Sequence, residues 1–481
     1  ERHVVEQHRR SITPSLGRRD RLHAMLRRAP AAIPLVASGL AIAALLMPAN
    51  ARANVTIQGT GTVTAGYSDN VLSAPDQPIA GGAQREGDAL FQIIPGVALT
   101  SVAPRLLERL AYTFTADLFA RHTEANTYSN TLDWIATILT SPKTKLTLSL
   151  QSLQGRVSTF LINQPSAATT VGVLSTNNDT NFFAQDVTEA LDATPLANWH
   201  VSEGITFHAF VPIDRGKLAD SYNVIASVGV DRLFRYDGVG LLLNANFIQY
   251  IQPRDPTTDV AIGFDDRQVL TSLVARWRRD WSRAWSTDAQ LGVISLVGAS
   301  SDPAASTETA WEPSALAALR WVNDRGSAEL HYLHTAAPNT LAGNTFSVDE
   351  VALQAAVPIY RDKVSIAATV AYQHARFVGL VPNAPEAAGN LAIVDVTLGY
   401  QPIPEVSVFA RYSLFDQFGS PPVNDVPSVL PDLTRNVVMV GATVTYPLRA
   451  AARVPTAGAS RIDGADQPDF PEPHATEQPQ R

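Results

Sequence analysis

The sequence of 481 residues contains no cysteine, and charged residues make up only 17% of it. Without cysteine the chain can form no disulfide, no thiolate nucleophile, no thiolate zinc site and no iron–sulfur cluster. The low charge accompanies 45% hydrophobic residues, a composition too apolar for an intrinsically disordered protein. The chain therefore has enough apolar material for a large fold.

The N-terminal region has the pattern of an export signal. Arg27 and Arg28 precede the apolar segment Ala31–Met47, and the Ala-Arg-Ala triplet at residues 51–53 has the small-x-small form of a cleavage site. The sequence therefore predicts a start at Met25, cleavage after Ala53, and residues 1–53 as an N-terminal extension plus signal peptide.

The rest of the chain is acidic. Of 37 basic and 45 acidic residues, nine Arg and three Asp or Glu lie in residues 1–53. The remainder carries 28 basic and 42 acidic side chains, a net charge of −14. An exported protein of this charge is poorly suited to bind nucleic acid, so we expect no nucleic-acid partner.

Residues 54–70, NVTIQGTGTVTAGYSDN, alternate between apolar or small residues and polar ones. A period of two predicts a β-strand with two unlike faces. The run is much longer than the average strand of about 5–6 residues and would suffice for a tilted membrane strand of about 9–11. The same alternation returns at Val239–Ile251, Val269–Trp277, Val364–Tyr372 and Val406–Leu414.

Short and long connections alternate between these segments. Short ones fall near residues 103–104, 141–142, 195–198, 235–238, 280–282, 323–326, 361–363 and 402–405. Longer ones cover residues 73–88, 155–181, 253–265, 336–345, 378–390 and 418–434. This alternation is typical of outer-membrane barrels, which have short periplasmic turns and long outer loops. A propeller would show a blade repeat, and the sequence has none.

The sequence therefore predicts an all-β fold: one closed antiparallel transmembrane β-barrel of about 18 strands (16–18) over residues 54–448. An even strand count places both chain ends in the periplasm, with residues 449–481, rich in Pro, Asp and Gln, as a disordered periplasmic tail. Aromatic residues near the predicted periplasmic strand ends support an interfacial girdle. They are Trp199, Trp277, Trp281, Trp285, Trp321, Tyr400 and Tyr446.

Polar residues at alternate positions of the strands are expected to face the lumen, because Arg or Lys on a lipid face would cost about 2–4 kcal/mol at the midplane. The predicted lumen-lining residues are Arg109, Asp117, Asp133, Lys145, Asn244, Asn246, Arg276, Arg278, Gln373, Asp395 and Arg411. Such a set could stiffen the wall or guide a polar solute. Glu189 and Glu203 fall on the apolar parity, which predicts a bulge or a register change between residues 182 and 211.

Nothing in the sequence predicts catalysis, and we expect no enzyme activity, no cofactor and no metal. His331 and His334 are three apart on a strand and so point to opposite faces. The Ser68-Asp69-Asn70 cluster could offer oxygens to Ca²⁺, but a side-chain-capped turn is the commoner role for these residues.

Two motifs resemble those of known outer-membrane proteins. Gly441, Val444 and Tyr446 are similar to the final-strand signal that the barrel-assembly machinery recognises, although Met439 departs from its usual polar residue. The first strands resemble a family of outer-membrane β-barrels encoded with bacterial exopolysaccharide and capsule systems. The residues that carry this resemblance are Gly66, Tyr67, Ser68, Asp69, Asn70, Gly87, Asp88, Pro95 and Gly96.

The family resemblance implies a channel through which a secreted polysaccharide crosses the outer membrane. A general or solute-specific uptake porin is the alternative, with residues 155–181 as its candidate constriction loop. A third hypothesis is a structural barrel that displays surface loops. The expected partners are outer-membrane lipid and lipopolysaccharide, the assembly machinery and a periplasmic polysaccharide-export partner.

Overall fold

The computed structural model describes residues 54–76, 84–156, 180–213, 218–252, 266–300, 308–339, 344–360, 363–378, 388–419 and 432–449. The signal peptide with its cleavage site, the tail beyond residue 449 and most of the candidate constriction loop lie outside these ranges. The described strands are β1 (Asn54–Ser68), β2 (Asp88–Ala103), β3 (Leu106–Phe119), β4 (Thr127–Ser141), β5 (Thr144–Arg156), β6 (Asn181–Leu196), β7 (Trp199–Pro212), β8 (Asp220–Leu233), β9 (Asp237–Ile251), β10 (Asp266–Asp280), β11 (Trp285–Ser300), β12 (Glu308–Asn323), β13 (Gly326–Asn339), β14 (Asn344–Tyr360), β15 (Val364–Phe377), β16 (Ala388–Ile403), β17 (Val406–Gly419) and β18 (Leu433–Arg449).

The strands form one closed sheet. Each pairs antiparallel with the next along the chain, and β18 pairs with β1 through contacts such as Thr64 with Gly441. Pairing around the barrel satisfies most backbone N–H and C=O groups, which would cost several kcal/mol each if left unpaired in lipid. The predicted 18-strand barrel is confirmed.

The connections alternate in length as predicted. The turn between β12 and β13 shows why a short link suffices, because Asn323 pairs directly with Gly326. Gly326 has φ of +133°, and a Cβ there would lie 2.4 Å from the carbonyl oxygen of Ala356. A side chain would therefore clash at this tight turn.

The two faces of the sheet differ in character. On β18, Val438, Val440, Val444 and Tyr446 are exposed, whereas the intervening Val437 and Met439 are buried. Val437 and Met439 pack against Val71, Leu90 and Phe119, which belong to the connection after β1 and to β2 and β3. Such contacts between separate parts of the wall occur only inside the barrel, so this face is the inner one and the exposed apolar face is the outer one.

Two aromatic girdles bound the outer face. At the short-turn end lie the predicted Trp and Tyr residues, and guanidinium groups stack on some of them, as Arg279 does on Trp281 at 4.4 Å. Towards the long loops, tyrosine hydroxyls donate to polar side chains on the next strand. These pairs are Tyr112 with Asn130, Tyr332 with Asp349, Tyr372 with Asn390, and Tyr412 with Asn436.

The distance between the girdles fits a bilayer. Asn436 and Tyr446 lie on the same face of β18, ten residues apart. At about 3.3 Å per residue and a tilt of about 40°, this separation spans about 25 Å, the height of the apolar band of outer-membrane barrels. The chain is an integral outer-membrane β-barrel.

The irregularity predicted between residues 182 and 211 is present, but it does not involve Glu189 or Glu203. β6 and β7 pair without interruption from Phe182 opposite Pro212 to Ala193 opposite Val201, and the irregularity follows at Ala193–Leu196. Because Asp186 opposite His208 lies on the inner face, the odd-numbered Glu189 and Glu203 point outward. The apolar parity was read correctly, and both carboxyl groups face the membrane.

Candidate functional site

The inner face of the wall is the candidate site. The strand register places all eleven predicted lumen-lining residues on this face, because each pairs with, or lies two residues from, another inward position. Their role in transport stays a prediction. What the structure adds is the pattern of contacts between them.

A chain of alternating charges crosses β5 to β10 on the inner face. Lys145 Nζ lies 3.4 Å from Asp192, and His200 lies between Asp192 at 3.4 Å and Asp231 at 3.3 Å. Arg276 Nη2 completes the chain by donating to Asp231 Oδ2 at 2.7 Å. Each carboxylate in this chain of charges therefore lies within 4 Å of a basic side chain, and each basic side chain lies within 4 Å of a carboxylate.

The last link depends on a glycine. Asp231 and Arg276 lie on β8 and β10, and Gly240 of the intervening β9 pairs with both. A Cβ at Gly240 would lie 1.8 Å from Asp231 Oδ1, and one at Gly229 would lie 2.5 Å from Arg276 Nη2. Because Gly240 and Gly229 have no side chain, the guanidinium group of Arg276 has room to cross β9 and reach Asp231.

A second chain of charges continues from β11 to β15. Arg320 lies 3.4 Å from Asp288 and donates to Glu329 at 2.7 Å. His331 lies between Glu329 and Glu350, with 2.7 Å from its Nε2 to Glu350 Oε1. Glu350 also accepts from Gln373 Nε2. Arg278 of β10 pairs with Asp288 of β11 and lies two residues from Arg276. The two chains of charges therefore meet on β10.

The other predicted residues form smaller groups. Asp395 accepts from Arg411 Nε at 2.7 Å and from Ser413, and Asp133 accepts from Gln151 at 2.9 Å. Asp117 is buried and accepts from Gln92 and Thr127. Asn244 donates to Ser272 at 3.1 Å. Arg109 is exposed on the inner face, and Asn246 is half-buried there.

Sequence reasoning missed several members of the charge chains. They are Asp192, His200, Asp231, Asp288, Arg320, Glu329, His331 and Glu350. Strand parity alone could have found them, because each follows its neighbours at a spacing of two. His331 and His334 do face opposite ways: His331 binds Glu350 inside, whereas His334 Nδ1 lies 2.8 Å from Asp349 outside.

Most of the residues that carry the family resemblance lie at the extracellular ends of β1 and β2 and in the connection between them, whereas Pro95 and Gly96 lie in the middle of β2. Gly66 and Gly87 lie where a Cβ would fall 2.3 Å from the carbonyl oxygen of Val438 and 2.0 Å from Tyr67 Oη. Asp88 Oδ2 accepts from the backbone N–H groups of Arg121 and His122 at 2.7 and 2.9 Å. The motif therefore has a structural explanation in the packing of this corner.

Asn70 holds a turn with both atoms of its side-chain amide. Its Oδ1 accepts from Ala74 N at 2.8 Å, and its Nδ2 donates to the carbonyl oxygens of Ala74 and Thr434. The turn brings Val71 and Leu72 into the lumen, and Arg435 Nη1 donates to Ser73 Oγ at 2.7 Å. This connection therefore fills part of the extracellular mouth.

A second part of the chain enters the lumen at a place where two neighbouring strands, β12 and β13, stop pairing. β12 and β13 pair only from Ala315–His334 down to Asn323–Gly326, so residues 308–314 and 335–339 are not paired with each other. Each segment still pairs with the strand on its other side and carries a proline, Pro313 or Pro338. Proline has no backbone N–H to donate to a neighbouring strand, so it protects the free edge from unwanted pairing.

Above the break, residues 335–339, 344–348 and 375–378 turn into the lumen; we call them the inner flap. Ala336 packs against Ile248, Leu270 and Ile294 on the inner wall. Thr345 Oγ1 donates to Gln268 on β10, and Arg376 lies 3.3 Å from Glu312 on β12. Side chains such as Ala336 and Thr345 lie on the face of their strands that contacts lipid nearer the periplasm. In the inner flap this face contacts the inner wall of the barrel instead.

The two ends of the lumen consequently differ. On the inner face of β1, Gln58 and Thr60 are exposed, whereas Thr64 and Ser68 are 3% and 0% exposed. A third inner cluster links Phe182 and Phe210 to Leu218 and to Leu433 of β18. The inner face of β1 is therefore accessible towards the periplasm and buried towards the extracellular end.

An ion-pair clamp joins two extracellular connections. His122 Nε2 lies 2.6 Å from Glu86 Oε2, and its Nδ1 lies 3.2 Å from Asp88 Oδ2. Hydrogen bonding to Glu86, and then to Asp88, raises the pKa of His122 above its ordinary 6.5. The clamp is therefore charged, and strongest, at acidic to neutral pH.

Within the described ranges no group of three or more His, Cys, Asp or Glu side chains is arranged to hold a metal ion. The same ranges contain no helix long and apolar enough to cross a membrane. On the last strand, Gly441 lies under Phe409, and Val444 and Tyr446 face outward; their role as an assembly signal stays a prediction.

No protein-family model matches the chain, and no curated protein matches it. Solved structures similar to it include the alcaligin outer membrane receptor FauA from Bordetella pertussis (12% identity, 81% of this chain and 76% of that chain, TM-score 0.38) and the siderophore receptor PirA from Pseudomonas aeruginosa (10%, 81% and 80%, 0.40). OccAB3 from Acinetobacter baumannii is another (8%, 82% and 100%, 0.41). At these identities and TM-scores the likenesses assign no substrate to this chain, and none of the three is described as an exopolysaccharide protein.

Proposed function

We propose that the barrel is a channel for the export of a polysaccharide, entered from the periplasm. The observation that carries this proposal is the difference between the two ends of the lumen. Inner-face positions of β1 are exposed at the periplasmic end and almost completely buried at the extracellular end. In this proposal a solute enters from the periplasm, and its passage is limited at the extracellular end.

The chemistry of the open half suits a carbohydrate. Most of the charged groups in the two chains of charges are paired with opposite charges, and amide and hydroxyl side chains such as Asn244 and Ser272 lie on the same inner face. Paired charges give little net field, so the wall favours neither cations nor anions strongly. Amides, carboxylates and guanidinium groups together offer both donors and acceptors to sugar hydroxyls.

A deletion strain tests the proposal. We expect surface polysaccharide to fall while intracellular synthesis of the polymer continues, because only the last crossing is lost. Complementation with the wild-type gene should restore the surface polymer. If the deletion strain keeps normal surface polysaccharide and loses uptake of a small polar solute, export is wrong and the uptake porin is right.

A conductance measurement tests the direction of access. In planar bilayers the purified barrel should bind oligosaccharides added to the periplasmic side, seen as transient blocks of current, more readily than those added outside. Equal blocking from both sides would contradict entry from the periplasm.

A further inference from the structure

The extracellular parts of β12 and β13 each have one edge that faces a gap. β12 pairs with β11, and β13 pairs with β14, along the whole of residues 308–314 and 335–339. β12 and β13 themselves pair only as far as Ala315 and His334. Among the described residues, the two edges that face each other across this gap, which we call the seam, therefore have no strand partner.

The backbone of β12 shows which of its residues face the seam. Val322 N donates to the carbonyl oxygen of Ala284, just before β11, at 2.9 Å. Successive residues of a strand direct their N–H and C=O groups to opposite sides, and β12 pairs with β11 without a register shift. Odd-numbered residues of β12, Pro313 among them, therefore face β13.

Pro338 of β13 faces the seam from the other side. It pairs with Thr345 of β14, and the carbonyl oxygen of Thr345 accepts from Val378 N, just after β15, at 3.1 Å. Residues opposite each other in an antiparallel pair of strands either bond to each other or both face away. Because Thr345 faces away from β13, Pro338 faces away from β14 and towards β12.

The two prolines thus lie where they remove hydrogen bonds across the seam and leave the outer ladders intact. If the register of β12 with β13 continued upward, Pro313 would lie opposite Ala336, and Trp311 opposite Pro338. Each of these pairs would normally exchange two hydrogen bonds, but proline has no N–H to donate. Pairing across the seam would therefore form only half of the hydrogen bonds at these two positions.

The contacts that hold the inner flap in the lumen are also modest. Its apolar contacts with the inner wall include the small side chains of Ala336 and Val378. Arg376, whose side chain is 52% exposed, lies 3.3 Å from Glu312, and an ion pair so open to water contributes little stability. A small change in either set of contacts is therefore enough to move the flap.

We propose that the inner flap is a gate with two positions, one in the lumen, as in this structure, and one in the wall. In the wall position residues 335–339 pair with residues 308–314, and the extracellular end of the lumen opens. Trp311, which is 67% exposed beside the seam, then lies opposite Pro338. The two prolines keep this pairing weak, so the gate can close again. The gate is independent of which solute passes.

A disulfide across the seam tests the wall position, and the chain has no cysteine of its own to interfere. Glu312 and Ala337 would form a pair without hydrogen bonds, in which the Cα atoms are about 4.5 Å apart, within the reach of a disulfide. In E312C/A337C, mild oxidation of the folded barrel should form the cross-link and raise single-channel conductance several-fold, and reduction should reverse the rise. Oxidised E312C alone is the control for loss of the Glu312 contacts.

Restoring the two missing donors tests the role of the prolines. P313A/P338A supplies an N–H group on each side of the seam, which favours the wall position, and should raise conductance several-fold. Pro95 pairs with Gly61 in β1, away from the seam, so P95A is the matched control and should leave conductance unchanged. Heat-modifiable migration on gels verifies that each variant is folded.

Three results would overturn the gate. They are the absence of a cross-link in folded E312C/A337C, a cross-link that leaves the conductance unchanged, and equal conductance in P313A/P338A and the wild type. If the proline variant does not fold, the disulfide experiment decides by itself. None of these outcomes bears on polysaccharide export.

Discussion

The periplasmic and extracellular halves of the lumen are built on the same eighteen strands, yet they are filled differently. In the periplasmic half, charged side chains pair along the wall, as between Arg276 and Asp231 at 2.7 Å. In the extracellular half, apolar clusters around Ala336, Val437 and Leu218 occupy the interior.

The difference predicts where passage through the barrel would be controlled. Charges within the wall are satisfied by their neighbours on adjacent strands, so they do not need to reach across the lumen. The extracellular contacts instead join parts of the wall that are distant along the sheet, such as Thr345 and Gln268. Changes at the mouth should therefore alter passage, and changes in the charge chains should alter the stability of the wall.

The largest effect is expected from forcing the inner flap off the wall. Ala336→Arg places a long charged side chain into the apolar contact with Ile248, Leu270 and Ile294, where an unpaired charge is strongly disfavoured. Single-channel conductance should rise several-fold. Ala337→Arg, which points to the other side of the same strand, is the control and should not raise it; an unchanged conductance in Ala336→Arg would mean that the flap does not limit passage.

The next largest effect concerns the glycine that the first charge chain crosses. Gly240→Ala should destabilise the barrel by about 2–4 kcal/mol, since its Cβ displaces Asp231 and separates it from Arg276. Gly238→Ala on the same face of β9 is the matched control, because a Cβ there meets only Leu233 Cδ2 at 3.6 Å. Urea unfolding in lipid vesicles measures both, and equal losses would contradict the role of Gly240.

A smaller effect is expected from removing single lumen charges. Arg276→Ala should lower stability because it leaves Asp231 without its guanidinium, while oligosaccharide passage should fall only slightly, since many contacts share the binding. Arg109→Ala, an exposed inner-face arginine, should leave stability almost unchanged. A large loss of passage in Arg276→Ala alone would instead make this residue a dominant binding site.

The smallest effect is a pH dependence at the extracellular clamp. Because folding raises the pKa of His122 above 6.5, the clamp's contribution is fully present below about pH 6.5 and is lost as pH rises through the folded-state pKa. Hydrogen exchange at residues 84–88 and 121–126 should therefore be faster at about pH 9 than at about pH 6, after correction for intrinsic rates. His122→Asn should abolish this difference; if it persists, another group is responsible.

The outer face was predicted well because alternation along a strand is a local property. The period of two fixed which residues share a face, and the lengths of the connections fixed which strand ends lie together. Even Glu189 and Glu203 were assigned the correct parity from their neighbours, and the irregularity predicted between residues 182 and 211 falls at Ala193–Leu196 and not at the glutamates. The continuous register of β6 and β7 shows that the sheet kept its pairing and left both acids outside.

The interior was predicted only in part. The sequence by itself determined the strands, their number, the two faces and the periplasmic girdle, because these follow from side-chain alternation and from the thickness of the bilayer. Only the tertiary structure decided that Arg276 reaches Asp231 across Gly240, that the pairing of β12 and β13 stops at His334, and that the inner flap packs under β9 to β12. The first and the last of these features join strands that are not neighbours in the sheet, the second is a local end of pairing, and a pattern with a period of two carries no information about any of them.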